Sequence, residues 1–361
     1  MEPIEQIRSA QKLPPQIRLT PGEAEWFDRT ASGPLVRVPN LPFAVTPYYI
    51  DLAGDSPADP VRRQCVPTAG EWDIRPGEEA DPLYEQRYSP LPRLIHRYAN
   101  RVLVLTTDQC PVYCRHCFRR YFTGGGARGN SNPGGSITAA EMKEIAAYVR
   151  NRREIREILF SGGDPLMLSD RKLLRTMELA RKTGDDTVLR LCTRAPVTWP
   201  QRITPELAEG LAQLRPLWTV TQYNHPKELT AESRSAAETL ISAGIPVANQ
   251  TVLLRGINDD PDVLARLFHD LLTLGIKPYY LFQGDLAPGT SQFRVSLDKA
   301  FAIVERLQNL LSGLSMPQFA VDLPGGGGKV RLSRESVEFF SDGRYHIRSM
   351  EGELFSYPEE D

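Results

Sequence analysis

From residue 101 onward the chain alternates short apolar runs with amphipathic stretches. "RVLVLTT" (101–107) reads as a strand. A Thr138-x-x-Glu141 capping box then opens a helix that sets Met142, Ile145 and Val149 on one face. "EILFSGG" (157–163) is a second strand. "SDRKLLRTMELARKTG" follows as a helix that turns Leu173, Leu174, Met177 and Ala180 inward and stops at Gly184. Strands are expected at 187–194, 217–224, 245–254 and 276–285. The helices between them are opened by Thr204-Pro205, which buries Leu207, Leu211 and Leu214, and by Asp260-Pro261, or end at Gly244 and Gly275. A last helix runs from Ser296 to Gly313.

Apolar strands alternating with amphipathic helices predict a parallel sheet covered by helices. Six such units fit a partial (βα)6 TIM-like barrel better than a full barrel, which needs about 250 residues. The expected division is a Pro-rich, helical N-terminal region (1–92) wrapped on the barrel, the barrel itself (93–313), and a C-terminal segment (314–361). In such folds chemistry gathers at the carboxyl ends of strands. Those ends carry Cys110, Cys114 and Cys117, then Ser161-Gly162-Gly163-Asp164, Thr193-Arg194, Asn224-His225, Gln250 and Asp285.

Composition narrows the function classes. Lys and Arg total 43 against 45 Asp and Glu, a net charge of −2, which argues against a nucleic-acid or acidic-membrane partner. The polar start "MEPIEQIRSAQKLPPQ" does not read as a signal peptide, and no apolar run would span a bilayer, so a cytoplasmic location is expected. Five cysteines, three of them clustered, do not form a disulfide framework.

The cluster reads C-x3-C-x2-C. Thiolates are soft ligands that select zinc, Cu(I) or iron–sulfur clusters. A structural zinc would need a fourth ligand, such as His116 or Cys192. A four-iron cluster usually takes four cysteines, so three leave one iron open to another ligand. The spacing, on a loop after the first barrel strand, resembles the radical S-adenosylmethionine superfamily. The resemblance implies a [4Fe-4S] cluster on Cys110, Cys114 and Cys117, with S-adenosylmethionine on the open iron. It places His116 near the adenine and "SGGDP", residues Ser161, Gly162, Gly163 and Asp164 with the following proline, near the methionyl group.

A second feature is "VDLPGGGGKVRLS" (321–333). Four glycines before Lys329 permit unusual backbone angles and close approach to a phosphate. Val330 follows the lysine, so this is not a P-loop. A desolvated lysine can bond covalently to an aldehyde cofactor; a solvated lysine in a glycine linker is the plainer alternative. "PGGGGK" resembles the pyridoxal-phosphate lysine segment of the lysine 2,3-aminomutase family. "CPVYCRHCFRR", "PQRITPEL", "NHP", "NQTVLLRGIND" and "KPYYLFQGDL" resemble that family in the same order.

This resemblance implies that Lys329 holds pyridoxal 5'-phosphate and that Arg97 and Tyr98 contact it. Gln250 would contact S-adenosylmethionine. Arg119, or its neighbour Arg120, would bind the substrate α-carboxylate, and Asp285 and Asp322 would grip a substrate ammonium. Two carboxylates meeting one cation offset its desolvation, and without the cation they should resist joint ionisation. The implied activity is a 2,3-aminomutase isomerase interconverting L-lysine and β-lysine. Arginine or another amino acid is the alternative substrate, and a non-catalytic zinc or iron–sulfur interaction protein the alternative class. A flavodoxin or ferredoxin electron donor and a homo-oligomer are expected as partners. Longer members carry zinc-binding cysteines in a C-terminal extension; with no cysteine after Cys192, zinc and that assembly are not expected. Gln222 stands where lysine enzymes commonly have histidine, so one cofactor contact is expected to differ.

Overall fold

The wall of the fold is a nine-stranded sheet whose strands follow one another in sequence order, β1 to β9. A computed structural model describes residues 4–31, 41–125 and 134–359; most of the glycine-rich stretch after the cysteine loop lies outside these residues. β2 (Arg101–Thr107), β3 (Glu157–Gly162), β4 (Val188–Cys192), β5 (Leu217–Thr221), β6 (Val247–Val252), β7 (Ile276–Phe282) and β8 (Gln318–Leu323) are all parallel. β1 (Leu94–Tyr98) and β9 (Gly328–Arg331) are antiparallel additions at the two edges.

Residues alternate between the two faces of each strand. The outward set, including Val104, Ile158, Phe160, Leu189 and Leu191, is fully buried against Met142, Ile145, Leu173, Met177, Leu207 and Leu211 of the covering helices. The inward set, including Leu103, Leu159, Ser161, Arg190 and Cys192, lines a cavity instead. This is why "TVLRLCTR" can carry an arginine and a cysteine in a parallel strand.

Local chemistry starts the helices where expected. Thr138 and Glu141 make both bonds of the capping box on helix Ala139–Arg150. Thr204, Asp260 and Ser296 cap the helices Pro205–Ala212, Pro261–Thr273 and Leu297–Leu310 through their side chains. The expected strands 187–194, 217–224, 245–254 and 276–285 run past the paired residues by two or three positions, and the overrun forms the loops of the site. The six strand–helix units are present, and β8 adds a seventh parallel strand that the apolar pattern did not reveal.

Beyond the wall, β10 (Val337–Ser341), β11 (Arg344–Arg348) and β12 (Leu354–Pro358) form a separate antiparallel sheet. Tyr357 ties it to the barrel by donating to the Gly284 carbonyl at 2.5 Å. The N-terminal region is tied to the loop after β7, where the Glu79 N–H donates to the Leu286 carbonyl at 3.0 Å. Its Glu23, Glu71 and Glu85 are buried carboxylates, each paired with an arginine.

β1 and β9 do not pair with each other, so the sheet has a seam. Side chains bridge it. The Lys329 N–H donates to the Tyr98 hydroxyl at 2.8 Å, and Arg97 Nε donates to the Gly326 carbonyl at 2.9 Å. The fold therefore brings the first strand to the glycine loop more than two hundred residues later.

Candidate active site

A cavity of about 490 Å3 fills the barrel, and the cysteine loop and Lys329 both line it. Cys110, Cys114 and Cys117 lie on its wall as free thiols. Burial pushes the Cys110 and Cys117 thiols up, and neighbouring cysteines add to the effect. Arg194 Nη1 lies 2.7 Å from Cys114 Sγ. The same guanidinium donates to Gln64 at 2.5 Å and pairs with buried Glu228 at 2.7 Å. Among the described residues no three His, Cys, Asp or Glu side chains close on a point that would hold a single metal ion. Three thiols on one wall of the cavity suit a four-iron cluster, whose cysteines each bind a different iron.

The strand end "SGG" is built around this loop. Gly162 has φ +117°, and a Cβ there would stand 2.6 Å from the Thr107 carbonyl oxygen. A Cβ on Gly163 would stand 2.3 Å from the Gln109 carbonyl oxygen. The Gly163 N–H donates to the Thr107 carbonyl at 2.6 Å, and that of Asp164 to the Gln109 carbonyl at 2.8 Å. The two glycines let β3 pass backbone-to-backbone against the segment that leads into Cys110. Asp164 joins strand ends: it accepts from Thr193 Oγ1 at 2.7 Å and from the Arg194 N–H at 2.9 Å. Burial nevertheless raises its carboxyl above the usual range.

The two arginines of "FRR" separate cleanly. Arg119 lines the cavity; Arg120 does not. Glu85 receives Arg119 Nε and Nη2 at 2.9 and 2.5 Å, leaving Nη1 to reach Ser161 Oγ at 3.3 Å. Burial alone would lower Arg119, but Glu85 more than offsets it and keeps the guanidinium charged. Arg120 is fully buried with Glu71 and the Pro288 carbonyl. His116 also lines the cavity. Burial and the nearby Arg194 hold its imidazole neutral, and its Nε2 lies 3.1 Å from the Gln222 amide nitrogen. Gln250 faces the same space from β6.

At the seam, Asp322 and Lys329 are directly opposed in the β8–β9 hairpin. Their spacing of seven in sequence is thus a cross-strand pair, and Lys329 Nζ meets Asp322 Oδ2 at 2.6 Å. The ammonium also lies 3.8 Å from the Phe282 ring centroid and 5.1 Å from that of Tyr280. Asp285, on the same cavity, is pushed up to about 8 by burial and by the Asp322 carboxylate, against the pull of Lys329 and Arg119. The two acids resist joint ionisation, as their pairing predicts.

The glycine run has a physical reason at every position. Gly325, Gly326 and Gly328 take φ of +67°, +80° and +78°, which disfavour any side chain. Gly327 has an ordinary φ, but a Cβ there would meet Leu323 Cβ at 2.8 Å and the Phe355 ring at 2.9 Å.

Several residues of the site escaped sequence reading: Glu85, which holds Arg119; Arg194, seen only as a strand-end residue; and Arg101, which lines the cavity 3.7 Å over the Tyr98 ring. Tyr280 and Phe282 carried one available signal, the "YYLF" run in a strand whose inward face is apolar.

Comparison with known proteins decides the lineage. Residues 104–268 match the Radical SAM superfamily, and residues 304–361 match the family described as Lysine-2,3-aminomutase. The L-lysine 2,3-aminomutase of Acetoanaerobium sticklandii is 41% identical over 359 residues, covering 98% of this chain and 83% of that protein. The chain belongs to the lysine 2,3-aminomutase family. The Clostridium subterminale L-lysine 2,3-aminomutase is 40% identical, covering 98% of this chain and 82% of its own. The Clostridioides difficile glutamate 2,3-aminomutase is 34% identical, covering 95% and 78%. The aminomutase family uses a [4Fe-4S] cluster, S-adenosylmethionine and pyridoxal 5'-phosphate. The thiols of one loop beside a guanidinium, and a lysine on an aromatic wall beside the glycine hairpin, suit these groups.

Proposed function

We propose that this chain interconverts L-lysine and β-lysine, with its site divided between the cysteine wall and the Lys329 seam. The observation that carries the substrate is the Asp285–Asp322 pair in one cavity with Lys329. A strained pair of acids is stabilised by an incoming cation and would repel the side-chain carboxylate of glutamate. When bound, the cluster with S-adenosylmethionine supplies a carbon radical and pyridoxal phosphate supplies the aldehyde that carries the migrating amino group.

The chain's own residues perform the rest. Lys329 Nζ would anchor the aldehyde cofactor, and Asp322 Oδ2, which lies 2.6 Å from that nitrogen, is then free to pair with the substrate cation. Arg97 and Tyr98, which hold the glycine hairpin through Gly326 and Lys329 and line the same cavity, contact the phosphate end of the aldehyde cofactor. Arg119 offers Nη1 to the substrate carboxylate while Glu85 holds the other edge of its guanidinium. Asp285 and Asp322 receive the ε-ammonium. Tyr280 and Phe282 exclude water from the reacting region. Cys110, Cys114 and Cys117 hold the cluster, while Ser161, Gly162, Gly163, Asp164, His116 and Gln250 shape the adenosylmethionine end.

The same reading assigns a cytoplasmic location, supported by five unpaired cysteines, and a flavodoxin or ferredoxin donor. A homo-oligomer is supported by the exposed Phe339, Phe340, Met350 and Leu354 of the C-terminal sheet and turn. No helix of the described residues is long and apolar enough to cross a membrane.

The test is anaerobic reconstitution with iron, sulfide, S-adenosylmethionine and pyridoxal phosphate, followed by separate incubation with lysine, arginine, ornithine and glutamate. β-Lysine from lysine alone is expected. A β-amino acid from glutamate but not lysine would overturn the substrate assignment.

A further inference from the structure

Arg97 does not face the cavity with its charge free. Its Nη1 donates to Glu351 Oε1 at 3.0 Å, while Nε is held by the Gly326 carbonyl. Glu351 comes from the turn between β11 and β12, 254 residues away in sequence. That turn is built to project it. The Ser349 N–H donates to the Glu353 carbonyl at 2.7 Å, and Gly352 takes φ +90°. The neighbouring Met350 is 82% exposed.

The two partners stand in different surroundings. The Arg97 side chain is 19% exposed, stacks near Tyr88 and Tyr98, and lines the cavity. The Glu351 side chain is 51% exposed and does not line it. A half-solvated carboxylate gains little from its ion pair. It nevertheless cancels much of the positive potential that Arg97 presents beside the glycine hairpin. The backbone there is free of side chains: a Cβ on Gly328 would stand 3.1 Å from Arg97 Nη2. Beside this side-chain-free hairpin, the cation that lines the cavity is already paired with a carboxylate from a surface turn.

We propose that Glu351 is a built-in competitor for the phosphate of the aldehyde cofactor. It pairs with Arg97 until a phosphate dianion takes its place, and so sets how strongly the cofactor is held and how much of that hold depends on the phosphate. The competitor also fixes the loss of order on loading: the β11–β12 turn gives up its tie to β1 when the phosphate arrives. This rests on the assignment of Lys329 and Arg97 to pyridoxal phosphate above.

The test uses the full chain with its cluster reconstituted and pyridoxal phosphate removed. Dissociation constants for pyridoxal phosphate and for pyridoxal, which lacks the phosphate, are measured by titration for wild type, Glu351→Gln and Glu351→Ala. Borohydride trapping and peptide mass analysis locate the bound cofactor. Removing the carboxylate should tighten pyridoxal phosphate about two- to fivefold at low salt, the range of a half-exposed ion pair, and leave pyridoxal unchanged. The gain should shrink at high salt. Weaker pyridoxal phosphate binding in Glu351→Gln would mean that Glu351 orients Arg97 and would overturn the proposal. So would an unchanged constant, or an equal change for both compounds. Trapping at a residue other than Lys329 in wild type would instead overturn the cofactor assignment, and the proposal with it.

Discussion

The carboxyl of Asp285 offers the sharpest physical handle on the site. Burial and the Asp322 carboxylate push it up to about 8, far above its ordinary value of 3.8. Between about pH 4 and pH 8 the folded chain therefore holds a proton that the unfolded chain has released. Stability must fall as pH rises through that window, at up to about 1.4 kcal/mol per pH unit, and level off above it. Water penetration reduces the ceiling, leaving a penalty on the order of a few kcal/mol at pH 8 and above. Asp285→Asn keeps the shape and removes the titration. In cofactor-free protein, urea unfolding of wild type and Asp285→Asn should converge near pH 4 to 5, and the variant should be the more stable by a few kcal/mol at pH 9. Lysine should narrow the gap by lending its ammonium to the acids. A stability difference independent of pH would refute the claim that the two acids repel in the empty site.

Other consequences are separable. Gly163→Ala drives a Cβ toward the Gln109 carbonyl, 2.3 Å away; the cysteine loop must shift, and the variant should lose about 1–3 kcal/mol of stability and bind less iron on reconstitution. Arg194→Ala strips Glu228 and Cys114 of their shared cation; a buried charge left alone costs about 3–5 kcal/mol by denaturant titration, with Arg194→Lys recovering part of it. Lys329→Ala should abolish the pyridoxal absorption band while leaving the iron–sulfur absorption intact. Arg119→Lys should raise the KM for lysine more than it changes cofactor binding, because a lysine cannot meet Glu85 and a carboxylate with one planar fork.

Much of this site is written in local patterns. The cysteine spacing, the lysine after four glycines and the helix caps each involve residues a few positions apart, where chain geometry makes pattern and structure nearly the same thing. Thr138 with Glu141 and Thr204 with Pro205 form their caps as read. The partners that tune the chemistry are remote. Glu85 lies 34 residues before Arg119, and Gly326 lies 229 residues from Arg97; no local spacing announces either contact. β8 gives little apolar signal because its core is the short run Phe319–Val321 between polar neighbours, and β10 because its Phe339 and Phe340 are both exposed, breaking the alternation that marks a half-buried strand. Asp322 and Lys329 stand seven apart in sequence, but that they face each other needs the hairpin.

The central claim is that the barrel moves an amino group within one molecule of lysine. It is tested most directly by incubating the reconstituted enzyme with L-lysine labelled with heavy nitrogen at its α-amino group and reading the product by nitrogen NMR. β-Lysine with the label on the β-carbon is expected. Cleavage of S-adenosylmethionine with no labelled β-amino acid would contradict it.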